Sequence, residues 1–269
     1  MNSAPIGVFD SGLGGLTCAK RLIRLLPNED VVYLGDTGRV PYGTRSRETI
    51  IKYARQDVQF LLGHGVKTII IACNTVSAVA AAELLPEIKI PVFEVVGPPA
   101  KQAAGLTKNG RIGVIGTAAT IKSGAYEVAL HRENPELFVT ASSCPLFVPL
   151  VENGRTSPDD IAVQTIVRDY LEPVLAQDID TLILGCTHYP LLRAVIQQIT
   201  GDSITLVDSG AATAEFAAQQ LRELGLLSGK TTTGERSYYV TDSAESFEPL
   251  ATVFLEDDVS GCVYKTTLE

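Results

Sequence analysis

The sequence predicts neither a membrane-spanning segment nor a secretory signal. None of its apolar runs is long enough to cross a bilayer. Its first residues, MNSAPIGVFDSG, have neither the basic start nor the apolar stretch of a secretory signal peptide. With 45% hydrophobic and 20% charged residues among 269, the chain is typical of a globular protein, and we expect it to be cytoplasmic.

The sequence also lacks a paired set of cysteines. Its five cysteines are scattered, and none forms a CxxC pair of the kind that binds zinc: Cys18, Cys73, Cys144, Cys186 and Cys262. An odd number of distant cysteines makes no disulfide framework. We therefore expect reduced thiols and no metal site.

Positive charge is scarce. The chain has 22 Lys and Arg against 31 Asp and Glu, a formal net charge of −9, and its basic residues do not cluster. Because nucleic acid and anionic membrane surfaces attract concentrated positive charge, neither is expected as a partner. A small anionic substrate would have to be held by local hydrogen-bond donors.

Short apolar runs alternate with helical patterns along most of the chain. PIGVFD precedes GGLTCAKRLIRLLP, and KTIIIACN precedes TVSAVAAAELLP. Buried strands that alternate with amphipathic helices are typical of βαβ units, so we predict an α/β fold with parallel sheets flanked by helices. Ligands of such sheets bind beyond the carboxyl ends of the strands.

This alternation occurs twice. IGVFDSG at 6–12 resembles IGVIGTA at 112–118, and KTIIIACNT resembles DTLILGCTH further along. Chance likeness between α/β strands is the alternative, but a cysteine follows the third strand in both halves. We predict two pseudo-symmetric lobes, 1–97 plus 208–269 and 98–207, with the active site in the cleft between them.

Cys73 and Cys186 each stand where an apolar strand stops and a polar turn starts. A buried cysteine is more often a small hydrophobic residue, and that interpretation suits Cys18 and Cys262. A helix is predicted to begin directly after Cys73, and a helix N-terminus favours the thiolate and can bind a carboxylate. We expect two reactive thiols that face one cleft from opposite sides.

Two opposed thiols indicate a particular chemistry. Inverting a carbon that bears an acidic hydrogen needs a base on one face and an acid on the other, and a thiol pKa of about 8.5 suits both roles. Asp10 ends the first strand and His188 lies two residues after Cys186, so both are candidates for moving the thiol protons. One thiol with His188 as its base would instead suggest a hydrolase.

Two polar stretches have two interpretations each, and one lone acid has a plain one. The turn DSGLGG at 10–15 is either a phosphate loop or a tight turn that exposes Asp10 and Ser11, and it fits neither GxGxxG nor GxxxxGK[ST]. Residues 35–46 form either a surface loop or cleft lining, and their position after the second strand favours cleft lining. Glu152, a lone acid, is a solvated surface group by spacing alone.

Residues 230–269 give no catalytic signal. Their pattern predicts a strand, a helix that begins near Asp242 or Ser243, and an edge strand.

In combination the motifs resemble the glutamate racemases. The resemblance covers about Ile6 to Gly210 and includes FDSGLGGLT, YLGDTGRVPYG, IACNT, IGVIGT, TIKSGAY, CPLFVPLVE and LGCTHYPLL in this order. It implies two α/β lobes and the interconversion of L- and D-glutamate without a cofactor, supplying D-glutamate for peptidoglycan. Some members of that family are homodimers and some depend on a cell-wall precursor as activator, so we expect either property here.

The resemblance also implies roles for individual residues. Cys73 would act as the base toward D-glutamate and Cys186 toward L-glutamate, supported by Asp10, His188 and Glu152. It implies a less direct contribution from Asp36. The substrate contacts that carry over are Asp10, Ser11, Tyr42, Gly43, Asn74, Thr75, Thr117, Thr187 and His188.

Three other functions stay open at this stage. An aspartate racemase or a decarboxylase of the same superfamily would share the motifs and differ in the shape of the substrate cavity. A single-cysteine hydrolase would leave Cys73 unexplained. A binding protein that closes on an acidic amino acid would explain the cleft but not its paired thiols.

Overall fold

The strands of the protein form two separate parallel sheets. A computed structural model describes residues 2–268. The first sheet has the order β10-β9-β2-β1-β3-β4, and its strands are β1 Ile6–Asp10, β2 Val31–Gly35, β3 Thr68–Ile71, β4 Val92–Glu94, β9 Arg236–Val240 and β10 Val263–Lys265. The second has the order β6-β5-β7-β8, and its strands are β5 Arg111–Gly116, β6 Phe138–Ser143, β7 Thr181–Gly185 and β8 Thr205–Asp208. Every pair of neighbouring strands is parallel.

Helices connect these strands and cover the sheets. They are α1 Leu16–Leu25, α2 Arg47–Gly63, α3 Asn74–Leu84, α4 Gly97–Leu106, α5 Ala118–Ser123, α6 Ala125–Glu133, α7 Phe147–Glu152, α8 Ile161–Leu175, α9 Arg193–Thr200, α10 Ser209–Glu223 and α11 Ala244–Leu255. Single 3₁₀ turns occur at Thr37–Arg39, Tyr42–Thr44, Leu85–Glu87 and Tyr189–Leu192. Among residues 2–268, no helix has both the length and the apolar character needed to span a bilayer.

The central strands are buried along their whole length. Every residue of β1, β2, β3 and β7 is buried. Such continuous apolar strands need helices on both faces of the sheet, because one uncovered face would leave half of their side chains in water. The predicted α/β class is confirmed.

The two sheets share one connection pattern. Strands β2-β1-β3-β4 of the first sheet occupy the same order as β6-β5-β7-β8 of the second. Strand β3, which precedes Cys73, therefore corresponds to β7, which precedes Cys186. The two pseudo-symmetric lobes are confirmed, while the boundaries at 97/98 and 207/208 stay a prediction.

The C-terminal segment extends the first sheet. Strand β9 pairs with β2, and β10 pairs with β9 at the edge. Helix α11 begins after Ser243, whose hydroxyl accepts a hydrogen bond from the backbone N–H of Ser246. A serine N-cap of this kind satisfies one of the free N–H groups of the first turn. The order strand, helix, edge strand is as predicted.

The two lobes are packed on a continuous core. Helices α1 and α10 lie against each other, and apolar side chains of both lobes, including Leu16, Leu22, Phe147 and Leu182, belong to one buried cluster. This packing fixes the relative position of the strand ends from the two sheets.

Candidate active site

A cavity of about 340 Å³ lies where the carboxyl ends of β1, β3, β5 and β7 meet. This is the position at which parallel sheets bind their ligands. Its lining comprises Ser11, Val40, Pro41, Tyr42, Gly43, Thr44, Cys73, Asn74, Thr75, Thr117, Ala118, Cys144, Pro145, Val148, Pro149, Glu152, Cys186, Thr187 and His188. Both lobes therefore contribute to one site.

The sequence-based candidates gather around this cavity with one exception. Eleven of the twelve catalytic and substrate-binding candidates line it, and Asp10 does not. The five consecutive residues 40–44 form part of the wall, so the cleft-lining interpretation of residues 35–46 is correct for this segment. The roles assigned to the individual residues stay predictions.

Cys73 lies at the N-terminus of helix α3 as its N-cap residue. Its Sγ is 3.5 Å from the Ser11 hydroxyl oxygen. Burial and the nearby charge of Asp10 raise the pKa of Cys73 to about 12, against hydrogen bonds with the Ser11 side chain and with the Val76 N–H that lower it. The expectation that the helix N-terminus would favour the thiolate is therefore wrong for the net effect. The helix acts in the expected direction, but desolvation of a buried charge is stronger.

Asp10 is the last residue of β1 and is buried. Its Oδ2 accepts a hydrogen bond of 2.9 Å from the Gly12 N–H, and its Oδ1 has no hydrogen-bond partner within residues 2–268. Burial raises the pKa of Asp10, whereas the charge of His188 lowers it. Asp10 thus stands beside Cys73 outside the cavity wall, where it can influence the thiol without lining the space a substrate would fill.

Cys186 is followed by a histidine that contacts it directly. Nδ1 of His188 is 3.9 Å from Sγ of Cys186, and Nε2 is 3.1 Å from Oε1 of Glu152. Burial alone would lower the pKa of His188, but hydrogen bonds with Cys186 and Glu152 raise it to about 10. The second thiol therefore has an imidazolium partner that is itself held by a carboxylate.

Glu152 is exposed, as its spacing indicated, but its spacing did not indicate that it also lines the cavity. It ends helix α7, and its side chain is 39% exposed on the cavity side beside His188. Spacing alone could not show this, because the contact depends on how α7 packs against the Cys186 turn. The resemblance was the signal that found it.

The two thiols have different neighbours although their strands correspond. Cys73 is close to a carboxylate and a serine hydroxyl, whereas Cys186 is close to an imidazole. A carboxylate disfavours a neighbouring thiolate and an imidazolium favours it. The unliganded site therefore places a thiol of raised pKa at Cys73 and an imidazole of raised pKa beside Cys186.

Neutral groups surround the space between the thiols. Thr75 Oγ1 of the first lobe lies 3.0 Å from Thr117 Oγ1 of the second. Thr117 is the N-cap of α5 and accepts a hydrogen bond from the Thr120 N–H. Among the described residues, no Lys or Arg lines the cavity. Hydroxyls and the N-termini of α3 and α5 are its donors for an anion.

Tyr42 is fixed from outside the cavity. Its hydroxyl donates a hydrogen bond to Asp36 and lies 3.1 Å from Asp57 Oδ2. The guanidinium of Arg39 contacts both carboxylates. Asp36 does not line the cavity, and its contact with Tyr42 is consistent with the indirect contribution expected for it.

Sequence reasoning named none of the apolar residues of the lining individually. Val40, Pro41, Pro145, Val148 and Pro149 form much of that surface, although all five stand in the motifs YLGDTGRVPYG and CPLFVPLVE. Apolar residues give no chemical signal, so their place in the wall depends on the fold. Within residues 2–268, no three His, Cys, Asp or Glu side chains come together as a group that could hold a metal ion.

Comparison with known proteins gives full-length similarities. The model of the Asp/Glu/Hydantoin racemase family matches residues 6–217. The glutamate racemase of Geobacter metallireducens is 46% identical over 264 residues, which cover 98% of this chain and 97% of that protein. A glutamate racemase isoform from Bacillus anthracis has a crystal structure similar to this one at a TM-score of 0.95 and 40% identity, covering 100% and 99% of the two chains. The Francisella tularensis glutamate racemase, solved with D-glutamate, gives a TM-score of 0.92 at 39% identity over 100% and 99%.

Proposed function

The chain belongs to the Asp/Glu/Hydantoin racemase family, and on that premise we propose that it is a cofactor-independent glutamate racemase that uses two cysteines. One observation supports this most strongly. Cys73 and Cys186 follow corresponding strands of the two lobes and line one cavity, each with its own proton partner. The biological role we propose is the supply of D-glutamate for peptidoglycan, in the cytoplasm.

In the proposed reaction the two thiols stand on opposite faces of the substrate Cα. With L-glutamate, the Cys186 thiolate takes the Cα proton and the neutral Cys73 thiol gives its proton to the other face. With D-glutamate the roles are exchanged. The raised pKa of Cys73 and the imidazolium beside Cys186 suit the protonation state that L-glutamate requires.

The removal of a Cα proton leaves negative charge on the substrate, which the site must stabilise. Fixed hydroxyl and N–H dipoles in a water-poor cavity can do this without reorganisation, because they already point at the developing charge. Thr75, Thr117 and the N-terminus of α3 supply such groups. The neutral donors would hold the α-carboxylate as well, so no cationic clamp is needed.

His188 and Asp10 are proposed to serve separate thiols. His188 Nδ1 receives the proton that Cys186 loses and Glu152 stabilises the imidazolium at Nε2. Asp10 influences the proton of Cys73 from behind the cavity wall. The homodimer and the cell-wall-precursor activator expected from the resemblance stay predictions.

A circular dichroism assay of the purified protein tests the proposal. L-glutamate, D-glutamate and L-aspartate are each supplied without added cofactor and with a metal chelator present. Racemisation of both glutamate enantiomers, faster than that of aspartate, is the expected result. Faster turnover of aspartate would overturn the substrate assignment, and activity that requires pyridoxal phosphate would overturn the mechanism.

A further inference from the structure

The turn at residues 10–15 makes a contact that its sequence does not predict. It connects β1 to α1, as the tight-turn interpretation predicted, but it does not expose Asp10, which is buried. The turn reaches the opposite lobe. A β-carbon built on Gly14 would lie 2.1 Å from Thr187 Oγ1 and 2.5 Å from His188 Nδ1. Real β-carbons do not approach other atoms so closely, so Gly14 stands against the two residues that follow Cys186.

Space is the reason for glycine at this position. Gly14 is not among the residues of the described chain with a positive φ, so its backbone conformation is open to other amino acids. Thr187 and His188 are both buried, with 3% and 6% of their surfaces exposed. Neither side chain can move away from an added methyl group without disturbing its neighbours.

A second residue fixes the same contact through the backbone. The hydroxyl of Thr17, in the first turn of α1, lies 2.9 Å from the Gly14 carbonyl oxygen and 3.1 Å from the Thr187 carbonyl oxygen. Its proton is placed between a carbonyl of the first lobe and one of the second. Thr17 thereby links the 10–15 turn to the chain between Cys186 and His188.

We propose that Gly14 and Thr17 are positioning residues that hold the His188 imidazole against Cys186. The nitrogen that an alanine β-carbon would strike, Nδ1, is the one that lies 3.9 Å from Cys186 Sγ. An added methyl group would therefore turn or shift the ring at the atom that exchanges its proton with the thiol. The inference rests on the proposed function in that His188 serves Cys186 during racemisation.

Nitrogen NMR of the histidine rings tests the geometric part without any assay of activity. The chain has three histidines, His64, His131 and His188, so ¹⁵N-histidine labelling gives three ring systems. Gly14→Ala should shift the His188 nitrogens and leave the other two unchanged. Gly105→Ala is the matched control, because the β-carbon it adds meets no atom within 4 Å beyond its chain neighbours and its own helix backbone, and all three rings should keep their signals.

Isotope effects test the catalytic part. A misplacement near 1 Å can cost on the order of 100-fold in rate, and we expect a fall in kcat of that order for Gly14→Ala. In the proposed reaction Cys186 removes the Cα hydrogen of L-glutamate. Replacing this hydrogen by deuterium should slow turnover by the variant more than the same replacement in D-glutamate. Loss of a merely structural contact would lower kcat in both directions and leave the two isotope effects equal.

A pair of variants at Thr17 keeps the inference testable if Gly14→Ala fails to fold. Thr17→Val removes the hydroxyl at nearly constant shape and should show the same isotope asymmetry and a shifted His188 signal. Thr17→Ser keeps the hydroxyl, so its isotope effects and its His188 signal should be those of wild type. Unshifted His188 signals in a folded Thr17→Val or Gly14→Ala variant would overturn the inference.

The two proposals fail in different ways. A wild-type protein that does not racemise glutamate would overturn the proposed function, while the NMR comparison would still decide whether Gly14 and Thr17 position the ring. A wild-type protein that racemises glutamate, with equal isotope effects from the two deuterated enantiomers in Gly14→Ala, would overturn only the positioning inference.

Discussion

Nε2 of His188 lies 3.1 Å from Oε1 of Glu152, a residue 36 positions earlier in the chain. This contact fixes which ring nitrogen faces the carboxylate and leaves Nδ1 for Cys186. A carboxylate on the far nitrogen of an imidazole favours its protonated form. Glu152 therefore determines how readily His188 can hold the proton of the thiol.

Glu152→Gln should lower the pKa of His188. Burial already lowers it, and the hydrogen bonds with Cys186 and Glu152 are what raise it to about 10. The amide oxygen of glutamine can keep the contact with Nε2, but the negative charge is lost. A ¹⁵N-histidine NMR titration of the ring measures the change, with His64 and His131 as internal controls. An unchanged His188 titration would contradict the role given to Glu152.

The same histidine should make stability depend on pH. The pKa of His188 in the folded protein, about 10, is above the unfolded value of about 6.5. Its contribution to the free energy of unfolding is thus complete below about pH 6.5 and is lost as the pH rises through about 10. The size is on the order of 1.4 kcal/mol for each unit of pKa difference.

Urea unfolding of wild type and His188→Asn at pH 6, 8 and 10 measures this effect. The difference in the free energy of unfolding between them should shrink steadily from pH 6 to pH 10, since other titrating groups largely cancel in the comparison. A difference that stays constant or grows with pH would contradict the raised pKa.

Asp10 and His188 should act on opposite half-reactions. In Asp10→Asn the proton transfer at Cys73 becomes slower, so deuterium at Cα of D-glutamate should give the larger isotope effect. In His188→Asn the proton transfer at Cys186 becomes slower, so deuterium at Cα of L-glutamate should give the larger isotope effect. The equilibrium constant of the reaction fixes the ratio of kcat/KM in the two directions. The asymmetry should therefore appear in kcat and in the isotope effects. Equal effects from both enantiomers in both variants would refute this division of labour.

Asp57 should tolerate a neutral amide. Burial, and then the charge of Asp36, raises the pKa of Asp57 well above its usual range, so Asp57 binds a proton more readily than a solvent-exposed aspartate does. At pH 4, Asp57→Asn should change the free energy of unfolding by less than about 1 kcal/mol, since an amide can also contact the Tyr42 hydroxyl. Asp57→Ala should cost about 2–4 kcal/mol through the cavity and the lost partners of Tyr42 and Arg39.

The pH dependence provides the control for that pair. The stability that a carboxyl of raised pKa contributes is present below the unfolded value of about 3.9 and is lost as the pH rises toward its folded pKa. In urea unfolding, the free energy of unfolding of Asp57→Asn should therefore increase relative to that of wild type as the pH rises from 4 to 8. If the free energy of unfolding of wild type instead increases relative to that of Asp57→Asn over this range, Asp57 is ionised in the folded protein.

Residues whose chemistry is visible at a strand end could be predicted from the sequence. Cys73 and Cys186 follow apolar runs, and parallel strands bring their carboxyl ends to one edge, so their common cavity follows from pattern and topology. The parallel pairing of the strands and the helix that begins after Ser243 also followed from periodicity and capping.

Features that depend on packing could not be predicted in this way. The place of Glu152 depends on the angle of α7, and the pKa of Cys73 depends on how deeply the strand end is buried. The contact of Gly14 with His188 joins residues 174 positions apart, and a glycine in a turn has many possible reasons. Such contacts between the lobes leave no local signal in the sequence.

The central claim, that Cys73 and Cys186 act from opposite faces of the substrate, is tested most directly in D₂O. Each thiol exchanges its proton with solvent before it delivers it, so D-glutamate formed early from L-glutamate should carry deuterium at Cα. The remaining L-glutamate should stay largely protiated, and Cys73→Ser and Cys186→Ser should largely abolish turnover, because a hydroxyl is a far weaker acid than a thiol. Proton NMR and mass spectrometry of the first few per cent of product measure the label. Deuterated D-glutamate is the result the two-thiol mechanism predicts, and early product that is mostly protiated at Cα would contradict it.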